Sequence, residues 1–173
     1  MKKGLSAALV SLCFLSAPAW AFAGLEDLKV GAALTGGSSS GFGVGARVEY
    51  ALDVLLPNLG IAGGVNVFFP SDPYDGWWEI NAAALYRFEV TDWLTPYAGG
   101  GLAFASWKKQ YPDDEYSGFS SQRPSEHHSS FAVNAIGGCT FDFDIGFTPF
   151  VEVRGGVGGG NGLEITAGAL IGF

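Results

Sequence analysis

The stretch of the chain most suggestive of chemistry is Ser125-Glu126-His127-His128-Ser129-Ser130. His127 with Ser129, or His128 with Ser130, stands at a spacing that puts both side chains on one face of a strand, where an imidazole can take the proton of a serine hydroxyl. Such a pair also needs an acid to orient the imidazole, and the nearest downstream carboxylate, Asp142, lies at the far end of the segment that follows. Glu126, His127 and His128 could begin a metal site, but no fourth ligand stands at a fixed spacing from them. Asp113, Asp114 and Glu115, like Asp72 and Asp75, lack the spacing of a calcium loop. The glycine-rich run from Gly155 to Gly162 is followed by neither Lys-Ser/Thr nor a helical pattern, so it reads as a hairpin loop rather than a phosphate cradle. No catalytic set, metal or cofactor is therefore expected.

The elements that would carry these residues are strands. Counting back from Phe173, the residues Ile171, Ala169, Ala167, Ile165 and Leu163 alternate with Gly172, Leu170, Gly168, Thr166 and Glu164. That period of two predicts a strand with one apolar face and one face of small or polar residues. The same pattern recurs upstream near 28–35, 42–52, 59–69, 77–89, 95–107, 131–141 and 148–157, with turn-forming clusters between. Eight strands in one domain follow, joined alternately by short turns and longer loops, of which 108–130 is the longest. Thr95-Pro96-Tyr97 and Thr148-Pro149-Phe150 open two of the segments in the same way, a weak echo of repeated hairpins.

The first residues carry Lys2 and Lys3, an apolar run from Leu5 to about Leu15, and small residues ending at Ala23. This is the pattern of a secretory leader, predicted as 1–23 and removed to leave 24–173. Cys13 would leave with it, so Cys139 would have no disulfide partner, and a closed sheet rather than a cross-link would have to hold an exported chain. Cys139 itself reads as a small hydrophobe on the apolar face. The formal net charge of −8 argues against a nucleic-acid partner. No later stretch is apolar for long enough to form a membrane-spanning helix.

The composition of the second face decides which side is outside. It holds Gly, Ala, Ser, Thr and Asn with few charges, too few for a surface in water, where roughly 25–35% charged residues would be usual. Its mid-strand charges are Lys29, Arg47, Arg87 and Arg154 against Glu49, Glu79, Glu152 and Glu164. Equal numbers suit a sealed interior, since an unpaired charge out of water costs several kcal/mol and a paired one is tolerated. The apolar face then meets lipid. Aromatic residues near the segment ends form the expected girdles: Trp77, Trp78, Phe104 and Trp107 towards the loops, with Tyr50, Phe88, Trp93, Phe147 and Phe173 towards the turns. An open sheet edge in hydrocarbon would leave backbone groups unsatisfied, so the last strand must pair with the first. The predicted fold is all-β, an eight-stranded antiparallel up-and-down transmembrane barrel. Its lumen is expected to be plugged by side chains; a narrow ion or small-solute path would need Gly43, Gly45, Gly64 and Gly168 to leave space between the charge pairs.

The leader, the eight segments, "LTPYAGGGLAFA", "FTPFVEVRG" and the terminal "ITAGALIGF" resemble the small eight-stranded outer-membrane β-barrels of Gram-negative bacteria, the group of the OmpA transmembrane domain, OmpX and the opacity-type proteins. The resemblance implies a place in the bacterial outer membrane, with the N-terminus and short turns in the periplasm and the long loop outside. It also implies that Phe173, with Ile171 and Ala169, resembles the signal read by the outer-membrane assembly machinery. Outer-membrane lipid and lipopolysaccharide become expected partners, with Lys108 and Lys109 beyond Trp107 as candidate contacts for lipopolysaccharide phosphates. An extracellular ligand would meet the 108–130 loop. Some barrels of this size are lipid A deacylases with a His-x-Ser pair, but the residues after Ser129 and Ser130 do not match that motif, and the amphipathic helix of palmitoyl-transferase barrels has no counterpart. The role expected is structural or surface-interacting, ahead of a narrow channel and, third, a lipid A-modifying enzyme.

Overall fold

In the computed structural model, residues 27–53, 55–71, 74–110, 125–158 and 162–173 are described. They form eight strands: β1 (Leu28–Gly37), β2 (Gly41–Ala51), β3 (Leu59–Phe69), β4 (Tyr74–Arg87), β5 (Leu94–Gln110), β6 (Ser125–Phe141), β7 (Thr148–Gly158) and β8 (Leu163–Gly172). Each pairs antiparallel with its neighbours, and β8 returns to β1 to close the barrel. At the seam Val30 faces Ile171 and Ala32 faces Ala169, so the last strand contributes a full ladder rather than a frayed end. Closure leaves no sheet edge in the wall, which is the condition for a sheet to sit in hydrocarbon. The predicted leader lies outside the described residues.

Alternation sets the two faces. Leu34, Val65, Ile80, Leu102, Val133, Val153 and Ile165 are exposed on the outer wall, while Arg47, Glu49, Glu79, Glu152, Arg154 and Glu164 are buried within. A water-soluble barrel would show the reverse. Short turns join β2 to β3, β4 to β5 and β6 to β7, and each is tied by its own side chain. Asp53 Oδ1 accepts from Asn58 N at 3.0 Å, Thr91 Oγ1 from Leu94 N at 3.1 Å, and Asp142 Oδ1 from Asp144 N at 3.1 Å. Asn58 and Asp144 take positive φ (66° and 55°), a conformation that Asn and Asp tolerate better than most residues.

Strand length divides the barrel. β1, β2, β3, β7 and β8 have 10 or 11 residues, the length a tilted strand needs to cross a bilayer. β5 and β6 have 17 each and stay paired as far as Gln110 opposite Ser125. The alternation of apolar residues had set the expected ends of these two strands at 107 and 131. Outside the bilayer no apolar face is required, and the ladder continues through polar residues. Lys108–Gln110 and Ser125–Ser130 are therefore strand, not loop; the middle of the expected loop, 111–124, lies outside the described residues.

Candidate functional site

Inside the barrel the charged side chains form one connected set. Arg47 donates through Nε to Glu49 Oε1 (2.8 Å) and through Nη1 to Glu152 Oε2 (2.7 Å). Arg87 Nη2 donates to the other oxygen of Glu49 at 2.7 Å. Arg154 reaches Glu152 Oε1 through Nη2 and Glu79 Oε1 through Nη1, both at 3.0 Å, so Glu152 bridges two arginines. The strands supply these groups by parity: β2 gives Arg47 and Glu49 and β7 gives Glu152 and Arg154, each pair two residues apart on the inner face. Arginine suits this position because its planar fork serves two carboxylates at once.

Lys29 does not join this set. It has the inner-face parity, but it lies near the turn-side end of β1, paired with Gly172, and is exposed to solvent. Among the described residues the interior then holds three guanidinium groups and four carboxylates. Glu164 is the carboxylate without a close cation, with Arg154 Nη1 3.8 Å from its Oε1. Neutral donors hold it instead: Thr35 Oγ1 at 2.7 Å, Asn66 Nδ2 at 3.1 Å and Thr166 Oγ1 at 3.3 Å. Tyr97 is a member that the charge pattern alone does not reveal. Its hydroxyl donates to Glu152 Oε2 at 3.0 Å, and the Arg47 guanidinium lies 4.7 Å from the Phe150 ring centroid. The parity of Tyr97 with Gly99 and Gly101, opposite to Ala98, was the available signal.

Apolar layers lie above and below the charges. Phe68, Trp77 and Ala105 pack with Trp107 towards the loop side. Towards the turns are Ala62, Leu85, Tyr97 and Ile136, and beside them Ala33, Phe150 and Leu170. Trp77 and Trp107 stack at 4.7 Å inside the barrel, which corrects their expected place in the outer girdle. Trp77 and Trp78 are adjacent in a strand and cannot share a face. The outer girdle on the loop side is Trp78, Phe104 and Phe131, with ring centroids 5.6 and 4.9 Å apart.

Three of the four glycines expected to open a water path, Gly43, Gly45 and Gly168, do not do so. A Cβ at Gly43 would strike Phe68, one at Gly45 would overlap Asn66, and one at Gly168 would strike Phe150. Each of these three accommodates a larger neighbour rather than a channel. Gly64, the fourth, lines a cavity of about 10 Å³ with Arg47, Asn66, Asn81, Arg154 and Thr166, room for a single water molecule.

On the extended hairpin, His128 faces inward, stacks on Trp107 at 5.9 Å and meets Glu126 Oε2 at 3.3 Å. Ser130, two residues on, lies opposite Ala105, and its Oγ is directed to the Phe131 carbonyl at 3.4 Å. Glu126 and Trp107 hold the imidazole, but no hydroxyl of Ser129 or Ser130 reaches a histidine, so neither His-x-Ser pair forms a nucleophile and base among the described residues. No group of three His, Cys, Asp or Glu able to hold a metal occurs among the described residues either.

A closed eight-stranded barrel with an apolar outside and a hydrogen-bonded ionic inside is an integral β-barrel membrane protein. The chain matches the family model of the outer membrane protein β-barrel domain over residues 5–148, and it belongs to that family. Solved structures share the fold. The N-terminal β-barrel domain of Pseudomonas aeruginosa OprF is 17% identical with a TM-score of 0.59, the match covering 84% of this chain and 96% of that one. Neisserial surface protein A (NspA) is 18% identical with a TM-score of 0.58 and the same coverage. No curated protein matches the sequence. The protein is located in the bacterial outer membrane.

Proposed function

We propose that the protein is a non-catalytic surface-interaction protein, in which the barrel is the anchor and the β5–β6 hairpin is the contact element, with the short turns on the periplasmic side. The observation that carries this reading is the length of the hairpin. Past Phe104 and Phe131 the ladder runs six residues further to Gln110 and Ser125, about 20 Å along the strand. A wall that only had to cross the bilayer would gain nothing from that extension. Loops and projections on a rigid scaffold are where contacts are usually made. The filled lumen disfavours steady conduction, and the Ser130 hydroxyl, directed to the Phe131 carbonyl rather than to an imidazole, disfavours acyl transfer.

The test replaces Lys109–Glu126 by Asn-Gly, a pair that favours a two-residue hairpin turn. Cells displaying the intact or the trimmed chain are compared for retention on a panel of immobilised extracellular-matrix proteins and glycans. Retention by the intact chain that is lost on trimming is the expected result. Equal retention by both would remove the hairpin as the contact element.

A further inference from the structure

Two of the lumen arginines each keep one nitrogen that no carboxylate meets. Arg47 spends Nε on Glu49 and Nη1 on Glu152, and Arg154 spends Nη1 on Glu79 and Nη2 on Glu152. Arg47 Nη2 and Arg154 Nε are buried and find no hydrogen-bond partner among the described residues. Both side chains are only 8% exposed, so bulk water does not serve these donors, and buried donors are as a rule paired with protein or with ordered water. Both arginines line the cavity of about 10 Å³ beside Gly64, and so do the amides of Asn66 and Asn81. Asn66 gives its Nδ2 to Glu164, which leaves its Oδ1 to accept. Asn81 turns Oδ1 towards Gly64, 3.2 Å from where a Cβ on that glycine would stand.

We propose that this cavity is a binding site for one water molecule, which accepts from Arg47 Nη2 and Arg154 Nε and donates to the amide oxygens of Asn66 and Asn81. The cavity offers two unmet donors and two amide acceptors, and a water molecule has two lone pairs and two protons to match them. Two guanidinium donors would also suit an anion. The described interior, however, already holds four carboxylates against three guanidinium groups, so an anion would add to an existing excess of negative charge. A metal cation would have to sit beside two guanidinium groups. The neutral ligand is the one that both the volume and the charge admit. Bound there, it ties together β2 through Arg47, β3 through Asn66, β4 through Asn81 and β7 through Arg154, so it belongs to the plug and not to a path through it. A side chain at position 64 would compete with it for the same space, since a Cβ there would lie 3.1 Å from the Ala46 carbonyl oxygen and face Asn81. The inference stands whether or not the hairpin is a contact element.

The test uses the refolded mature chain in lipid nanodiscs, labelled with nitrogen-15 at arginine. In the parent, a rotating-frame Overhauser contact from water to the Arg154 Nε proton is expected, with the sign of a dipolar contact and not of chemical exchange. Gly64→Ala puts a methyl group into the cavity. It should abolish that contact and lower the folded-to-unfolded ratio in urea about ten-fold, as an unmet buried donor does. Gly64→Ser is larger, but its hydroxyl can accept from an arginine in place of the water, so it should recover most of that ratio. No water contact in the parent, with Gly64→Ala as stable as the parent or more so, would mean a dry void and overturn the proposal. Gly64→Ser less stable than Gly64→Ala would overturn it as well, since crowding alone would then explain the glycine. Replacing chloride by gluconate at constant ionic strength should change nothing; stability that rises with chloride would assign the site to an anion instead. The unboiled electrophoretic mobility confirms that each variant has folded, and the measurement on the parent decides the matter even if a variant has not.

Discussion

The mid-section of the lumen and the outer half of the β5–β6 hairpin follow the same alternation and use it for opposite ends. In the lumen, each inward side chain is answered by another strand: Arg47 of β2 meets Glu152 of β7, and Arg154 of β7 meets Glu79 of β4. Removing one partner there strands several others. On the hairpin beyond the girdle, the described contacts run mainly between neighbouring strands or along one strand, as in His128 with Trp107 and Glu126. The lumen is a cooperative core, and the hairpin is a local ladder. Stability should therefore reside in the first, and tolerance to change in the second.

The largest effect that would sharpen this comparison is expected from Arg154→Met. The substitution leaves Glu79, Glu152 and Glu164 buried with one cation fewer, and breaking a buried pair in this way costs about 3–5 kcal/mol. Urea unfolding of the refolded barrel in lipid vesicles would show it as a lowered midpoint. A variant as stable as the parent would mean that the charges are not a stabilising unit. Gly138→Ala comes next. Tyr97 lies across this glycine, and an added Cβ would come within 2.5 Å of Tyr97 Cζ and of the Val151 carbonyl. Overpacking of this kind costs about 1–3 kcal/mol. Because Tyr97 also bonds Glu152, the loss should be accompanied by a change in tyrosine near-ultraviolet circular dichroism, and an unchanged spectrum would show that the ring has another place to go.

Much of this architecture was legible in the sequence, because a membrane wall leaves little freedom. Period two in each segment set the faces, and the need to close the sheet paired the tail with the first strand. Arg47, Glu49, Glu79, Glu152, Arg154 and Glu164 could all be placed inside by parity, and the structure places them together. The differences between sequence and structure have separate physical sources. Parity says which face a residue occupies but not how high it sits, so Lys29 was counted inside although its position is at the exposed rim. Trp77 and Trp107 were assigned by residue type to a girdle, where parity should have overruled type. The strand ends of β5 and β6 were missed because the apolar signal stops at the membrane surface while backbone pairing does not. Parity puts Tyr97, Asn66 and Thr35 on the inner face, but which carboxylate each one meets depends on distances across the barrel that no linear pattern encodes.

The smallest expected effect is also the most direct test of the division between core and projection. The chain with Lys109–Glu126 replaced by Asn-Gly is refolded beside the parent, and both are unfolded in urea after their unboiled mobility has been compared. The account predicts a heat-modifiable barrel whose stability lies within about 0.5 kcal/mol of the parent, as for changes away from any core. Failure to form the heat-modifiable band, or a loss of several kcal/mol, would contradict it, since the hairpin would then be part of what holds the barrel closed.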